Sequence, residues 1–137
     1  INVLLLGETG VGKSTFINAF VNYLAYNSLQ EAEKNNIIHV IPASFLITVG
    51  DDFEEVIVNI GDPDPNEDYS LQGASVTQHC KSYIIPLSSD LHLRLIDTPG
   101  MGDTRGIDQD MKNIDHILSY VDTLSHLNAV CFLLKPN

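Results

Sequence analysis

Residues 7–15, with the sequence GETGVGKST, restrict what this chain can fold into more than any other segment. They follow the short apolar run of residues 3–6, which is typical of a buried strand, and they precede residues 16–21, which are typical of the start of a helix. The glycines let the backbone turn tightly, so that successive N–H groups and the helix N terminus point at one spot. All the fixed positions of a phosphate-binding loop are present and both flanks agree, which favours this interpretation over a chance Gly-rich turn.

The residue types in this loop predict their contacts with a nucleotide. Lys13 would reach the β- and γ-phosphates, and the hydroxyl of Ser14 would bind Mg²⁺. We therefore expect the phosphates to lie against a set of residues that share this loop and the helix start: Thr9, Gly10, Val11, Gly12, Lys13, Ser14 and Thr15.

Length and charge limit the class of protein. The 137 residues are enough for one domain, residues 1–137, with a substantial core, and 44% of them are hydrophobic. Seven Lys and Arg against eighteen Asp and Glu give a net charge of −11, which argues against a nucleic acid or an anionic membrane as partner. A nucleotide is compatible with this charge, because backbone dipoles and Lys13 supply a local positive potential.

Cysteine usage and hydropathy indicate a cytoplasmic location. Cys80 and Cys131 form no disulfide framework and show no metal-ligand spacing, so a reducing cytosol is expected. The sequence contains no apolar run as long as a membrane span and no secretory leader, so we predict no transmembrane segment. The chain begins at Ile1, directly on a predicted strand, and we expect it to be a piece of something longer.

Hydrophobic periodicity predicts alternating strands and helices, which is the pattern of an α/β fold. A hairpin turn is expected at residues 50–52 and a loop at residues 61–68, where Asp, Pro and Asn accumulate. The predicted strands cover residues 2–6, 37–41, 45–49, 56–58, 81–87, 91–96 and 129–134, and the predicted helices cover residues 12–34 and 107–127.

A second motif, residues 93–100 with the sequence LRLIDTPG, supplies an acid at the end of an apolar strand. An Asp at a strand end is usually structural, but phosphoryl transfer needs a phosphate loop and a metal-binding carboxylate together. Asp97 would then hold Mg²⁺ through a water at the carboxyl edge of the sheet, and the N–H of Gly100 would reach the γ-phosphate.

The two motifs together resemble the translation-factor-related GTPases, nearest to the septin, chloroplast-translocon and immunity-associated (GIMAP-like) G domains. This resemblance implies a P-loop NTPase fold, a mostly parallel sheet flanked by helices, and Mg²⁺-dependent hydrolysis of GTP to GDP as a conformational switch. A Thr in the first switch of those groups closes over Mg²⁺. Residues 75–80 (SVTQHC) fit that pattern, so Thr77 is the expected switch residue and Ser75 the alternative. Residues 97–103 resemble the second switch.

The chain also departs from that family in four places. Residues 36–73 form an enlarged, β-rich insertion before the first switch. Met101 stands where Ras-like proteins carry a water-positioning Gln, and because Met cannot orient a water, hydrolysis should be slow. Thr9 stands where Ras has Gly and would crowd an arginine finger. The element that reads guanine would lie beyond Asn137, so we expect a truncated G domain whose guanine preference is inferred from the resemblance.

Several alternatives and lesser candidates remain open at the level of sequence. A septin-like scaffold that holds nucleotide with negligible turnover, an ATPase and a P-loop kinase are the rival functions. Pairing of two copies through the nucleotide face would supply a missing cation, with Arg105 the first candidate and Lys135 the second. The acidic residues of the 61–68 loop lack EF-hand spacing, so a solvated loop is expected there. The expected catalytic residues are Lys13, Thr77, Gly100 and Arg105, and the expected metal ligands are Ser14, Thr77 and Asp97.

Overall fold

A four-stranded sheet with helices on both faces forms the body of the protein. The structure is a computed structural model that describes residues 1–70 and 74–135; residues 71–73, the end of the predicted insertion, and the last two residues lie outside the described part. Within the described part, the elements in chain order are β1 (Asn2–Gly7), α1 (Lys13–Ala25), α2 (Leu29–Lys34), β2 (Ala43–Val49), β3 (Glu54–Ile60), β4 (Lys81–Pro86), β5 (His92–Asp97), α3 (Ile107–Asp122) and β6 (Ala129–Leu133).

The main sheet has the strand order β4-β5-β1-β6 and is mostly parallel, as predicted. Strand β1 runs parallel to β5 and to β6, and their carboxyl ends meet at one edge. Strand β4 is antiparallel to β5, so its first residue, Lys81, lies opposite the last residue of β5, Asp97. This direction brings the segment before β4 to the same edge as the loops that follow β1 and β5.

Alternate residues of the central strands pack against opposite helical layers. Leu5 of β1 and Leu95 of β5 lie in one buried cluster with Ile17 of α1. The neighbouring residues on the strands, Leu4 and Ile96, lie in a second cluster with residues of α3. Such alternation is what a sheet covered on both faces requires. The α/β layering predicted from the sequence is therefore confirmed.

The prediction of one helix over residues 12–34 is wrong, because the helix ends at Ala25 and a second helix begins at Leu29. Ser28 caps this second helix: its hydroxyl accepts a hydrogen bond from the N–H of Glu31 at 3.2 Å. The carboxylate of Glu31 in turn accepts from the N–H of Asn27 at 2.9 Å. These two hydrogen bonds bind backbone N–H groups at the N terminus of α2 and allow a new helix to begin there.

The strand predicted at residues 37–41 is absent, because side chains of α1 bind the backbone groups that a strand partner would bind. The side chain of Asn18 accepts from the N–H groups of Val40 and Ile41 and donates to the carbonyl of Ile41. Asn22 holds both backbone groups of Ile38 in the same way. The segment is anchored, with Ile41 buried in the core, but it pairs with no strand.

Two further predictions differ in their limits. Helix α3 ends at Asp122 rather than at residue 127, and the hydroxyl of Thr123 donates to the carbonyl of Tyr120 at that end. The predicted hairpin is confirmed and is longer than expected, with seven residue pairs between β2 and β3. Gly50, at a φ of 71°, lies in its turn. The hairpin forms a separate two-stranded sheet, and no helix in the described part is long and apolar enough to cross a bilayer.

Candidate functional site

The loop between β1 and α1 carries the backbone geometry of an anion site. Gly10 and Gly12 have φ values of 72° and 95°, which lie in the left-handed region that favours glycine. Within the described residues, no side chain caps the N terminus of α1 and no acidic residue lies in its first turn. The unpaired N–H groups and the positive end of the helix dipole are therefore left for an anion.

Lys13 is a buried ammonium group whose partners in the loop are neutral. Lys13 is 6% exposed, and its Nζ donates to the carbonyls of Gly7 and Glu8, each at 3.2 Å. Burial lowers the pKa of Lys13, and the negative charge of Asp97 opposes that shift. Because a buried charge without a charged hydrogen-bond partner is unfavourable, a phosphate at this loop would stabilise Lys13.

Four side chains from four segments form a group that we call the hydroxyl–carboxylate cluster: Ser14, Glu67, Thr77 and Asp97. The hydroxyl of Ser14 donates to Asp97 Oδ2 at 2.6 Å and lies 3.3 Å from the hydroxyl of Thr77. Thr77 Oγ1 donates to Glu67 Oε2 at 3.2 Å. The cluster lies beside Lys13, at the carboxyl edge of the sheet. The three predicted metal ligands are thus brought together, and the carboxylate of Glu67 lies in contact with one of them, Thr77.

The two carboxylates of the cluster are in an environment that disfavours negative charge. Asp97 is fully buried, and burial raises its pKa against the hydrogen bond from Ser14 and the charge of Lys13. Burial also raises the pKa of Glu67 to about 7, and the charge of Asp97 adds to that shift. A cation bound between the two carboxylates would remove this penalty.

The cluster has the donor chemistry that suits Mg²⁺. Mg²⁺ prefers oxygen ligands and is usually held by one or two carboxylates together with hydroxyls, waters and substrate phosphates. The described residues contain no group of three or more His, Cys, Asp or Glu side chains placed to hold a metal ion. A cation would therefore depend on the two hydroxyls and on phosphate oxygens as well as on Glu67 and Asp97.

The segment after β5 is pressed against the Gly-rich loop. A Cβ added to Gly100 would lie 2.5 Å from Thr9 Oγ1 and 2.6 Å from Thr9 Cα, so only glycine fits. The N–H of Thr9 donates to the carbonyl of Met101 at 2.8 Å, and the N–H of Met101 donates to that of Gly7 at 3.2 Å. The N–H of Gly100, expected at the γ-phosphate, donates to Ser75 Oγ at 2.8 Å.

Asp103 links the two predicted switch segments. Its buried carboxylate accepts from the backbone N–H of Ser75 at 2.9 Å and forms an ion pair with Arg105 at 2.6 Å. The hydrogen bond from Arg105 holds the pKa of Asp103 well below its usual range. Arg105 also reaches Gln78 Oε1 at 3.4 Å. Movement of Asp103 would therefore change hydrogen bonds in both predicted switch segments.

The two cations proposed for a partner's site have partners within their own chain. Arg105 is paired with Asp103, and Lys135 lies 3.4 Å from the carboxylate of Glu8 with both side chains more than half exposed. An exposed pair of that kind contributes little to stability, so Lys135 is held weakly. Arg105 would have to leave a buried carboxylate before it could reach another subunit.

A cleft of about 680 Å³ opens beside the Gly-rich loop. Its volume is within the range of small-ligand sites. Thr9 and Gly10 form one side of it, Lys135 borders it, and the hairpin contributes Phe45 and Leu46. The cleft lies where the remainder of a ligand could extend if its phosphates occupied the loop.

The remaining predicted loop residues have structural contacts as well. The N–H of Val11 donates to the carbonyl of Glu8 at 3.3 Å and closes the loop, while Thr15 is exposed in the first turn of α1. The sequence analysis assigned Glu67 to a solvated acidic loop, but its side chain is partly buried against Thr77. It did not single out Asn113, whose buried side chain donates to the carbonyl of Gly100 at 3.0 Å. The acidic loop around Glu67 was the available signal, but its contact with Thr77 depends on the fold.

No protein-family model, no curated protein and no solved structure matches this chain.

Proposed function

We propose that this chain is a P-loop GTP-binding domain that hydrolyses GTP to GDP in the presence of Mg²⁺ and acts as a conformational switch. The observation that carries the proposal is the buried ammonium of Lys13 at an uncapped helix N terminus, beside Ser14, Thr77 and Asp97. Phosphate binding and metal binding need these two halves in contact. The guanine preference comes from the resemblance of the sequence motifs.

Each residue of the site has a defined part in this proposal. The N–H groups of residues 10–15 and the ammonium of Lys13 would bind the phosphates, with Lys13 leaving its carbonyl partners. Ser14, Thr77 and Asp97 would hold Mg²⁺, directly or through water, and the ion neutralises charge that develops on the transferring phosphoryl group. Met101 offers no hydrogen bond to an attacking water, so turnover should be slow without help from another group.

The switch would depend on contacts around Gly100. Its N–H donates to Ser75 Oγ, and no room is left for a Cβ between Gly100 and Thr9. A γ-phosphate that accepts from this N–H would have to displace Ser75 and widen the gap to Thr9. Because Ser75 is also bound to Asp103, that displacement would disturb the second switch segment together with the first.

Two rivals and two wider expectations accompany this proposal. A nucleotide-holding scaffold with negligible turnover is favoured by Met101 and by the engagement of Arg105 within its own chain; an ATPase differs only in the base. We also propose pairing of two copies through the nucleotide face, with Arg105 or Lys135 released to the partner's site. The free thiols Cys80 and Cys131 support a cytoplasmic location.

Calorimetry with GDP and Mg²⁺ tests the proposal through Lys13→Ala. Loss of the charge-assisted partner of a phosphate should weaken GDP binding by at least 100-fold, while circular dichroism shows a folded domain. Lys112→Ala, an exposed change on α3, removes the same charge away from the site and should bind GDP like the parent. Equal affinity of Lys13→Ala and the parent would contradict the phosphate-loop assignment.

Nucleotide competition and phosphate release separate the rivals. Tighter binding of GDP than of ADP would support the guanine preference, and the reverse would indicate an ATPase. Release of phosphate from GTP at a rate above that of Asp97→Asn would support hydrolysis. A parent that binds GTP but releases no phosphate would favour the scaffold.

A further inference from the structure

Glu67 is held beside the cation side of the site by backbone pairing on both of its flanks. The N–H of Asp68 donates to the carbonyl of Val76 at 2.8 Å, and the N–H of Gln78 donates to the carbonyl of Asn66 at 2.9 Å. These bonds set Glu67 opposite Thr77 in an antiparallel bridge. The position of the Glu67 carboxylate therefore follows from the path of the chain and not from a flexible side chain alone.

An ion pair and an amide anchor the same segment further along. Asp64 pairs with Lys81 at the start of β4, and Asn66 accepts from the N–H of His79 at 2.9 Å. The side chain of Asn66 also donates to the carbonyl of His79 at 2.9 Å. Residues 64–68 are thus attached to residues 76–81, which include the end of the predicted first switch and the start of β4.

The hydrogen bonds of the hydroxyl–carboxylate cluster leave oxygen lone pairs facing one another. A hydroxyl has one proton to donate. Ser14 gives its proton to Asp97 at 2.6 Å, and Thr77 gives its proton to Glu67 at 3.2 Å. Neither proton is then left for the 3.3 Å contact between the two hydroxyl oxygens. An electron-rich contact of this kind between two carboxylates favours a cation.

The spacing of the four oxygens also suits a divalent cation. Adjacent ligands of an octahedral ion with bonds of about 2.1 Å lie about 3.0 Å apart. The three successive separations, from Asp97 through Ser14 and Thr77 to Glu67, are 2.6, 3.3 and 3.2 Å. Small shifts would bring these three neighbouring pairs to the separation that adjacent ligands of Mg²⁺ or Mn²⁺ require.

We propose that Glu67 is an additional carboxylate of the divalent-cation site, which the insertion supplies next to Thr77. The inference rests on the proposed function and deepens it. With carboxylates on both sides of the two hydroxyls, the site would bind Mg²⁺ or Mn²⁺ before a nucleotide arrives. The cation would then stay after the γ-phosphate leaves, because its protein ligands do not depend on that phosphate.

Titration with Mn²⁺, followed by the electron paramagnetic resonance signal of the free ion, tests this proposal on nucleotide-free and GDP-loaded protein. The parent should bind one Mn²⁺ without nucleotide, in competition with Mg²⁺. Glu67→Gln keeps an oxygen that accepts from Thr77 but removes the charge, and it should raise the dissociation constant of Mn²⁺ by about 10- to 100-fold in both states. Glu54→Gln makes the same change at an exposed position of β3 and should bind Mn²⁺ like the parent.

Two outcomes would overturn the inference. One is a nucleotide-free parent that binds no Mn²⁺ at millimolar concentration. The other is an unchanged dissociation constant for Mn²⁺ in Glu67→Gln, which would mean that Glu67 merely positions Thr77. If Glu67→Gln fails to fold, Glu67→Asp replaces it, since a carboxylate withdrawn by one methylene should show the same loss.

The GDP affinity separates this inference from the function on which it rests. Normal GDP binding with Mn²⁺ affinity indifferent to Glu67 would leave the GTP-binding function standing and the inference refuted. A parent that binds Mn²⁺ through Glu67 but does not bind GDP would support the cation site and refute the function.

Discussion

Replacing Gly100 by Ala tests the contact between the Gly-rich loop and the segment after β5. The new methyl group would lie 2.6 Å from Thr9 Cα and 2.8 Å from Thr9 N, where ordinary contacts begin at 3.4 Å. The backbone of one segment would therefore have to retreat by about 0.8 Å. Neither neighbouring atom is the end of a flexible side chain, so rotation of a side chain cannot relieve the overlap.

The expected loss of stability combines overpacking with a weakened hydrogen bond. Extra methyl groups forced into a packed region cost about 1–3 kcal/mol. The same retreat stretches the bond from Thr9 N to Met101 O, which is 2.8 Å long, and the loss of such a bond costs about 1 kcal/mol. We expect Gly100→Ala to lower the free energy of unfolding by about 2–4 kcal/mol.

Urea denaturation of Gly100→Ala and of Gly102→Ala measures this effect with a matched control. Gly102 has a φ of 70° and no atom within 4 Å of an added Cβ. Its replacement therefore has only a conformational cost, about 1–2 kcal/mol. A loss of stability in Gly100→Ala no greater than that in Gly102→Ala would refute the tight contact with Thr9.

Three further predictions follow from contacts described above. Asn18→Ala should lower the free energy of unfolding by about 2–3 kcal/mol in urea, because three backbone groups of residues 40 and 41 lose their partner. A loss below about 0.5 kcal/mol, the usual scale for a surface substitution, would contradict it. Because the pKa of Asp103 is lowered, its carboxylate stabilises the fold at pH values above 3.8, the usual pKa of Asp. That contribution is lost as the pH falls below this value. In Arg105→Ala, thermal stability should therefore fall less steeply as the pH drops below about 4. If two copies pair, the same substitution should also reduce the rise of GTPase activity with protein concentration. Hydrogen exchange in residues 62–70 and 74–80 should slow more with a non-hydrolysable GTP analogue than with GDP, and equal rates would indicate a static scaffold.

The sequence was sufficient for the parts of the fold whose patterns are local. Apolar runs predicted the strands of the main sheet, and the 3.6-residue period predicted α3. Each of these patterns lies within a single element and can be recognised without knowing how the elements pack. The strand expected at residues 37–41 is absent for a physical reason. Its apolar and β-branched residues suit a strand, but the side chains of Asn18 and Asn22 form hydrogen bonds with its backbone groups. Sequence spacing alone cannot show whether a neighbouring strand or the side chains of a helix will bind these backbone groups.

The residues of the candidate site likewise include some that a local motif predicts and some whose contacts depend on the fold. Ser14 and Asp97 lie in motifs whose position after a strand determines where they stand, and the structure places them in hydrogen-bond contact. Between Ser75 and Thr77, the sequence preferred Thr77, and Thr77 is the one beside Ser14. The contact of Glu67 with Thr77 could not be predicted, because it depends on how the insertion folds back onto residues 76–78.

The antiparallel direction of β4 has a consequence for how the protein folds. Thr77 and Asp97, which form one half of the site, are joined through the hairpin β4–β5. The Gly-rich loop, which forms the other half, lies between β1 and α1. Each half therefore belongs to a unit that is local in the chain. The halves meet only when β1 pairs with β5, a contact between residues about ninety positions apart. Loop closure over that distance is entropically costly and slow. We therefore expect pairing of β1 with β5 to be a late step of folding, so that the hydroxyl of Ser14 meets the carboxylate of Asp97 only in chains in which β1 has joined β5.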